Sequence, residues 1–433
     1  MSPSTAAILG LILLFVLMAL RMPVSFAMIL AGFLGNAYMI STDAAIYMLT
    51  TNVWGQLSSY GLSVIPLFVF MGQLAYHSGI TERLYNAAYK WVGRLPGGLA
   101  GTTILSSAGF ASICGSNSAT SATMGTIALP EMKRYHYDPA LSTGSVAIGG
   151  TLGVVIPPSV VLIIIAVQTE QSITQLFLAS IVPGLFLTGL FLATVFIICL
   201  RNPSLGPPGP QTAMREKLIS LTGAVEALIL FLLVIGGLYA GWFTPTEAGA
   251  AGSFGALLIG LARRKLSKKE FVNAIAETIR ISAMVVLLIT GAVIFGRFLT
   301  VTRLPFELAD WASSLNVPRE AILLIVLLIY LIGGCLVDAL GFLVVTIPIF
   351  YPLAKALGFD PIWYTVVITL VTTMGAVTPP VGVNVYIVSG LSPDIPIGTI
   401  FRGVSIFLIA YVICLALLIM FPQVALYLPG LLM

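Results

Sequence analysis

Gly153-Val154-Val155-Ile156-Pro157-Pro158-Ser159 recurs 222 positions later as Gly375-Ala376-Val377-Thr378-Pro379-Pro380-Val381, and each copy follows a threonine, Thr151 or Thr373. Two consecutive prolines unwind a helix, because neither ring nitrogen carries an N–H and both rings clash with the preceding turn. Both pairs lie inside apolar runs. Hydrocarbon cannot satisfy the freed carbonyls, so a helix broken at membrane depth must be buried in protein or line a polar cavity. Broken helices at matching positions of two halves point to the binding site of a secondary transporter.

Composition points the same way. Of 433 residues, 58% are hydrophobic and 8% charged, with a mean hydropathy of +1.06. A soluble domain would carry charge on about a quarter of its residues. The chain therefore reads as a polytopic membrane protein. Its net charge of +4 reads as topology; no basic stripe with interleaved aromatics suggests nucleic acid. The run from Ala6 to Leu20 has no basic segment before it and reads as a first span rather than a cleaved signal. Cys114, Cys199, Cys335 and Cys414 are scattered through apolar stretches and read as small buried hydrophobes. His77 and His136 are the only histidines, and no ligand-spaced cluster calls for a transition metal. No Walker A sequence is present, so ATP use by this chain is not expected.

The repeat extends beyond the prolines. Shifted by 224, Gly72, Ile80 and Leu84 fall on Gly296, Leu304 and Leu308; after a two-residue slip the shift becomes 222. Residues 1–200 and 218–433 read as two copies of one unit, joined by a polar, loop-like linker at 201–217. Each copy reads as two spans, an amphipathic segment, a third span, a re-entrant hairpin, a broken span and a final span. The hairpins fall near 96–132 and 320–352, and the broken spans near 141–168 and 361–389. The expected fold is all-α with about ten crossings. Placing the linker in the cytoplasm puts sixteen of the twenty Lys and Arg residues on that side, a positive-inside bias. Both termini then lie outside. Five crossings per copy is odd, so the copies insert with inverted topology, which suits alternating access.

Chemistry concentrates at the hairpins. The stretch Ser106 to Thr123, including Gly115-Ser116-Asn117-Ser118-Ala119-Thr120, is rich in hydroxyls and amide around a glycine. Such neutral oxygens suit a weakly held Na⁺, and the same small residues also suit close helix packing. Beside the break at 157–158 the site reading is favoured. Ser116 corresponds to Asp338 in the second copy. A carboxylate facing lipid costs about 2.5–3.5 kcal/mol or more, so Asp338 should face a cation, a proton path or a donor, or cap the second hairpin arm. Thr151, Ser159, Thr372, Thr373, Thr378 and Asn384 add oxygens near the breaks. Helix ends there present N–H groups to anions, so a carboxylate substrate needs no deep arginine. Arg21 and Arg297 flank spans, where they reach an anion or, more simply, snorkel to the interface.

The serine-rich hairpin, the two Pro-Pro breaks, Asp338 and the Arg21-to-Ala27 stretch Arg-Met-Pro-Val-Ser-Phe-Ala together resemble the large membrane subunit of tripartite ATP-independent periplasmic (TRAP) transporters, over essentially the whole chain. The resemblance implies an elevator transporter of the ion-transporter superfamily in a bacterial inner membrane, driving Na⁺-coupled uptake of an organic acid. It also implies a periplasmic substrate-binding protein and a small four-span membrane subunit as partners. Carried over, it puts Ser116, Asn117, Gly153, Asp338, Thr373 and Gly375 near Na⁺, with Ser118, Thr378 and Asn384 as looser, substrate-binding assignments. The rival readings are a single-component carboxylate transporter of the same superfamily, a passive channel, and an intramembrane enzyme. The enzyme would need a nucleophile–base pair that the sequence does not offer.

Overall fold

The computed structural model describes residues 2–432, which form helices and connecting turns with no strand among them. The first half holds α1 (Pro3–Ala19), α2 (Val24–Met39), α3 (Thr42–Leu57), α4 (Val64–His77), α5 (Ile80–Val92), α6 (Gly98–Cys114), α7 (Asn117–Arg134), α8 (Pro139–Val155), α9 (Val160–Thr169) and α10 (Ile173–Arg201). The second begins with α11 (Met214–Phe231), which runs through a π-helical turn at Leu232–Gly236 into α12 (Gly237–Tyr239). There follow α13 (Pro245–Ala262), α14 (Lys268–Val301), α15 (Leu304–Ser314), α16 (Arg319–Leu336), α17 (Ala339–Ala356), α18 (Pro361–Gly375), α19 (Val383–Leu391), α20 (Ile397–Met420) and α21 (Gln423–Leu432).

The halves share their punctuation. Ser116 and Asp338 are the N-caps of α7 and α17, the return arms of the two hairpins, and each side chain accepts a backbone N–H. Asp138 and Asp360, again 222 apart, cap α8 and α18 by accepting from Leu141 N at 3.0 Å and Trp363 N at 2.9 Å. Each cap satisfies a donor that a helix start leaves orphaned. Pro157-Pro158 separates α8 from α9, and Pro379-Pro380 separates α18 from α19.

Three local differences from the sequence reading have clear causes. The second amphipathic segment and the span after it are one helix, the 34-residue α14, because Ile281-Ser282-Ala283-Met284 contains no breaker. In the first half Ser58-Ser59-Tyr60-Gly61 ends α3, and the chain bends by 50°. Second, α5, α15 and α21 are helices at stretches given no element, short ones of 13, 11 and 10 residues. Third, the linker is shorter and more ordered than a loop over 201–217. α11 already starts at Met214, and Gly97 N to Gly206 O (2.9 Å), Gly209 N to Gly93 O (2.8 Å) and Asp138 N to Leu205 O (2.9 Å) strap the remainder down. By length and composition seven segments reach across a bilayer, counting α8 with α9 through the break as one and α11 with α12 as another, or eight with α3 and α4 taken together. α1, α2 and α18, at 17, 16 and 15 residues, fall short of the roughly 20 required.

Packing divides the molecule into two apolar cores. One joins both hairpins to α8, α10, α18, α20 and α21. The other gathers α1, α2, α4 and α11 to α14 into a scaffold, with α14 lying along α2 and α13 along α4, and takes in α9 and one side of the hairpin arm α17, so the two cores interlock. α5 lies between them, against α11 on one side and α6 on the other. Glu226 of α11 holds it there, ion-paired to Arg83 of α5 at 3.3 Å and to Arg263 beyond α13.

Candidate functional site

Each hairpin tip meets the broken helix of its own half. Gly115 closes α6 in the left-handed conformation, φ 65°, which glycine adopts without strain. Its carbonyl accepts from Val160 N at 3.3 Å, the first residue of α9. In the second half Gly382 N, 222 residues after Val160, donates to Cys335 O at 3.0 Å. Backbone approach explains the flanking glycines. A Cβ on Gly153 would strike the Ser116 carbonyl and stand 2.6 Å from Thr120 Oγ1, and one on Gly375 would meet Gly334 at 2.8 Å.

The two breaks treat their carbonyls differently. Pro157 and Pro158 offer no N–H to Gly153 and Val154, the residues four positions earlier. Beside them Asn117 is 5% exposed, and its Oδ1 has no hydrogen-bond partner among the described residues. In the second half the corresponding carbonyls are satisfied: Gly375 O accepts from Thr378 N at 2.8 Å and Ala376 O from Asn384 N at 3.0 Å. The first break therefore leaves hard, neutral oxygens grouped near Ser116, the donor type that an alkali cation takes in place of its hydration water.

A cavity of about 390 Å³ lies between the hairpin tips and the scaffold. Ser116, Asn117, Ser118 and Asp338 line it together, so the structure brings these four sequence-selected residues to one place. Asp338 receives Leu340 N at 3.1 Å, and no lysine or arginine stands within ion-pair distance of it among the described residues. The capping and cavity-facing roles of this carboxylate coexist. Gly153 supports the cavity from behind Ser116.

The remaining selected residues lie elsewhere. Thr373 donates to Thr369 O at 2.5 Å within α18, where that helix crosses α16 near Gly334 and Gly375. Thr378 donates to Met374 O at 2.7 Å. Asn384 is 1% exposed and reaches Ala147 O at 3.4 Å, tying the second broken helix to the first. Neither Thr378 nor Asn384 lines the cavity.

Sequence reasoning missed the scaffold wall, formed by Val69 and Gln73 of α4 with Ile281, Met284 and Val285 of α14. Gln73 is the one polar side chain on that wall, and it also lines an adjoining cavity of about 210 Å³ that leads past Tyr76 and Glu277. A lone amide in an apolar helix was the available signal.

An all-helical, inverted-repeat membrane protein with paired hairpins and broken helices around a central cavity is a transporter of the broken-helix class. The solved YdaH transporter of Alcanivorax borkumensis shares the fold, with a TM-score of 0.65 at 18% identity over 89% of this chain and 91% of that one. The C4-dicarboxylate TRAP transporter large permease protein DctM of Pseudomonas aeruginosa is 35% identical over 86% of each chain. The sialic acid TRAP transporter large permease protein SiaM of Vibrio cholerae is 34% identical over 95% of each. The family model of the tripartite ATP-independent periplasmic transporter, DctM component, matches residues 11–424. The chain belongs to that family and is a transporter subunit, not an enzyme.

Proposed function

We propose that this large permease carries an organic acid through Na⁺-coupled elevator transport, receiving it from a periplasmic binding protein and working beside a small membrane subunit. The observation that carries the reading is Asp338, a carboxylate without a basic partner on a cavity whose facing hairpin offers Ser116, Asn117 and Ser118. A buried anion requires a compensating cation, and Na⁺ supplies one. Ser116, Asn117 and Gly153 would hold Na⁺ at the first break. Asp338, Thr373 and Gly375 would serve a second site, while Ser118, Thr378 and Asn384 contact or frame the substrate. The cation-free lining fits a carboxylate whose charge is met by bound Na⁺ and by helix N-termini. Relatives named for C4-dicarboxylate and sialic acid support an acidic substrate.

The test is uptake of radiolabelled succinate and of N-acetylneuraminate, the two acids the relatives suggest, into proteoliposomes holding the chain, its small subunit and its binding protein. Accumulation should follow an inward Na⁺ gradient and ignore ATP. Equal accumulation with K⁺ replacing Na⁺, at fixed membrane potential and pH gradient, overturns the coupling.

A further inference from the structure

The repeat relates more than the caps. A shift of 224 carries α4 onto the second half of α14 and α5 onto α15: His77 falls on Val301, the last residue of each helix. Gly79 (φ 75°) falls on Arg303 (φ 58°), and both are left-handed residues that open the next helix. The same shift places Gly72 on Gly296 and Gln73 on Arg297.

The two glycines have different neighbours. Gly72 is the seat of the first hairpin tip: a Cβ there would stand 3.1 Å from Cys114 Cα and 3.5 Å from the carbonyl oxygens of Ile113 and Cys114. Gln73, the next residue, thereby lines the cavity. At Gly296 no backbone presses; only the Pro348 ring comes within reach of a Cβ, at 3.7 Å. Arg297 is exposed, and no carboxylate among the described residues pairs with it.

We infer that Arg297 is the counterpart of Gln73 in the opposite conformation, where the second hairpin tip at Leu336–Val337 seats on Gly296 and the guanidinium lines the substrate cavity. Inverted halves exchange environments when access alternates, so a seat used by one half in one state is used by the other half in the other. The inference rests on the alternating-access reading above. The exchange is chemically unequal. A guanidinium takes a carboxylate through paired N–H donors and raises the local concentration of anions, whereas an amide holds the same group without charge. One face therefore captures an organic anion and the other lets it go. The asymmetry alters affinity at each face, while the gradients alone set the equilibrium.

The experiment uses the full chain in membranes, with native cysteines replaced by alanine except where named. Oxidation with copper phenanthroline should link Gly72→Cys to the retained Cys114 in one protein, and Gly296→Cys to Leu336→Cys in another. Leu340, which lines the cavity 222 positions after Ser118, becomes the reporter through Leu340→Cys. In the protein locked through position 296, the ratio of anionic to cationic methanethiosulfonate rates is read at saturating Na⁺, because Asp338 stands two residues from the reporter. Arg297→Gln should cut that ratio by about tenfold and Arg297→Lys should keep most of it. A 296/336 pair that never links, or a ratio unmoved by Arg297→Gln, overturns the inference. Neither readout measures Na⁺-driven uptake and both are taken at one fixed Na⁺ concentration, so failure here is distinct from failure of the proposed coupling.

Discussion

Asp338 does two things with one carboxylate. One oxygen accepts Leu340 N at 3.1 Å and starts α17, while the group as a whole faces the cavity. Asp338→Asn keeps a capping oxygen, because asparagine caps as well as aspartate, but removes the charge. The protein should fold and insert normally while the Na⁺ concentration for half-maximal uptake rises about tenfold or more, the equivalent of about 1.4 kcal/mol. Ser116→Ala also removes a cap and should cost about 1 kcal/mol of stability, with a smaller change in Na⁺ dependence. Uptake against Na⁺ concentration, measured beside thermal unfolding in detergent, separates the two effects. Wild-type Na⁺ dependence in Asp338→Asn would leave the residue as a cap alone. The pairing of Ser116 with Asp338 was visible as a 222-residue spacing, and capping of the second arm was already an alternative for Asp338; that Ser116 likewise begins its return arm became visible only once the hairpins were built.

At the scale of elements, α5 is one of the joints between the cores, beside the contacts of α4 with α6 and of α14 with α17. It packs on α11 of the scaffold and leads straight into α6 of the first hairpin. Its anchor is Glu226, which is 7% exposed and paired with Arg83 and Arg263. Glu226→Ala should free α5 and destabilise the chain by about 1–2 kcal/mol, less than the 3–5 kcal/mol of a fully buried pair, because Arg83 and Arg263 are 30% and 41% exposed. A lowered melting temperature with faster proteolysis near Gly93 would register it; an unchanged melting temperature would show that apolar contact with α11 suffices. None of this was legible beforehand. An amphipathic helix of 13 residues between glycine-containing turns looks like a connection in sequence, and the ion triad spans three elements that only folding brings together.

For the whole molecule, orientation is the outstanding quantity. Lys133 and Lys355, 222 apart, stand in the last turns of the two return arms α7 and α17. With inverted insertion and a cytoplasmic linker, as the lysine and arginine distribution leads one to expect, Lys133 would face the cytoplasm and Lys355 the opposite side. Single cysteines at these positions should therefore react with an impermeant maleimide from opposite sides in right-side-out and inverted vesicles. Reaction of both from one side would reverse the topology of one half. The same symmetry pairs Gln73 with Arg297, and it makes one conformation informative about the other.

The sequence by itself determined the membrane class, the all-α repeat, the two breaks and the residues that ring the first hairpin, because each follows from local chemistry. Proline lacks an N–H, hydrocarbon rejects charge, and a spacing of 222 can be read by counting. Tertiary structure alone decided which of those residues share a cavity. Ser116, Asn117, Ser118 and Asp338 meet there, whereas Thr378 and Asn384 turn to helix contacts. It alone placed Gln73 on the facing wall and fused α14 into one rod. The reason is physical: a side chain's neighbours across a helix interface depend on crossing angle and close backbone approach, which glycines such as Gly72, Gly153 and Gly375 permit. Those crossings exist only after both cores have packed.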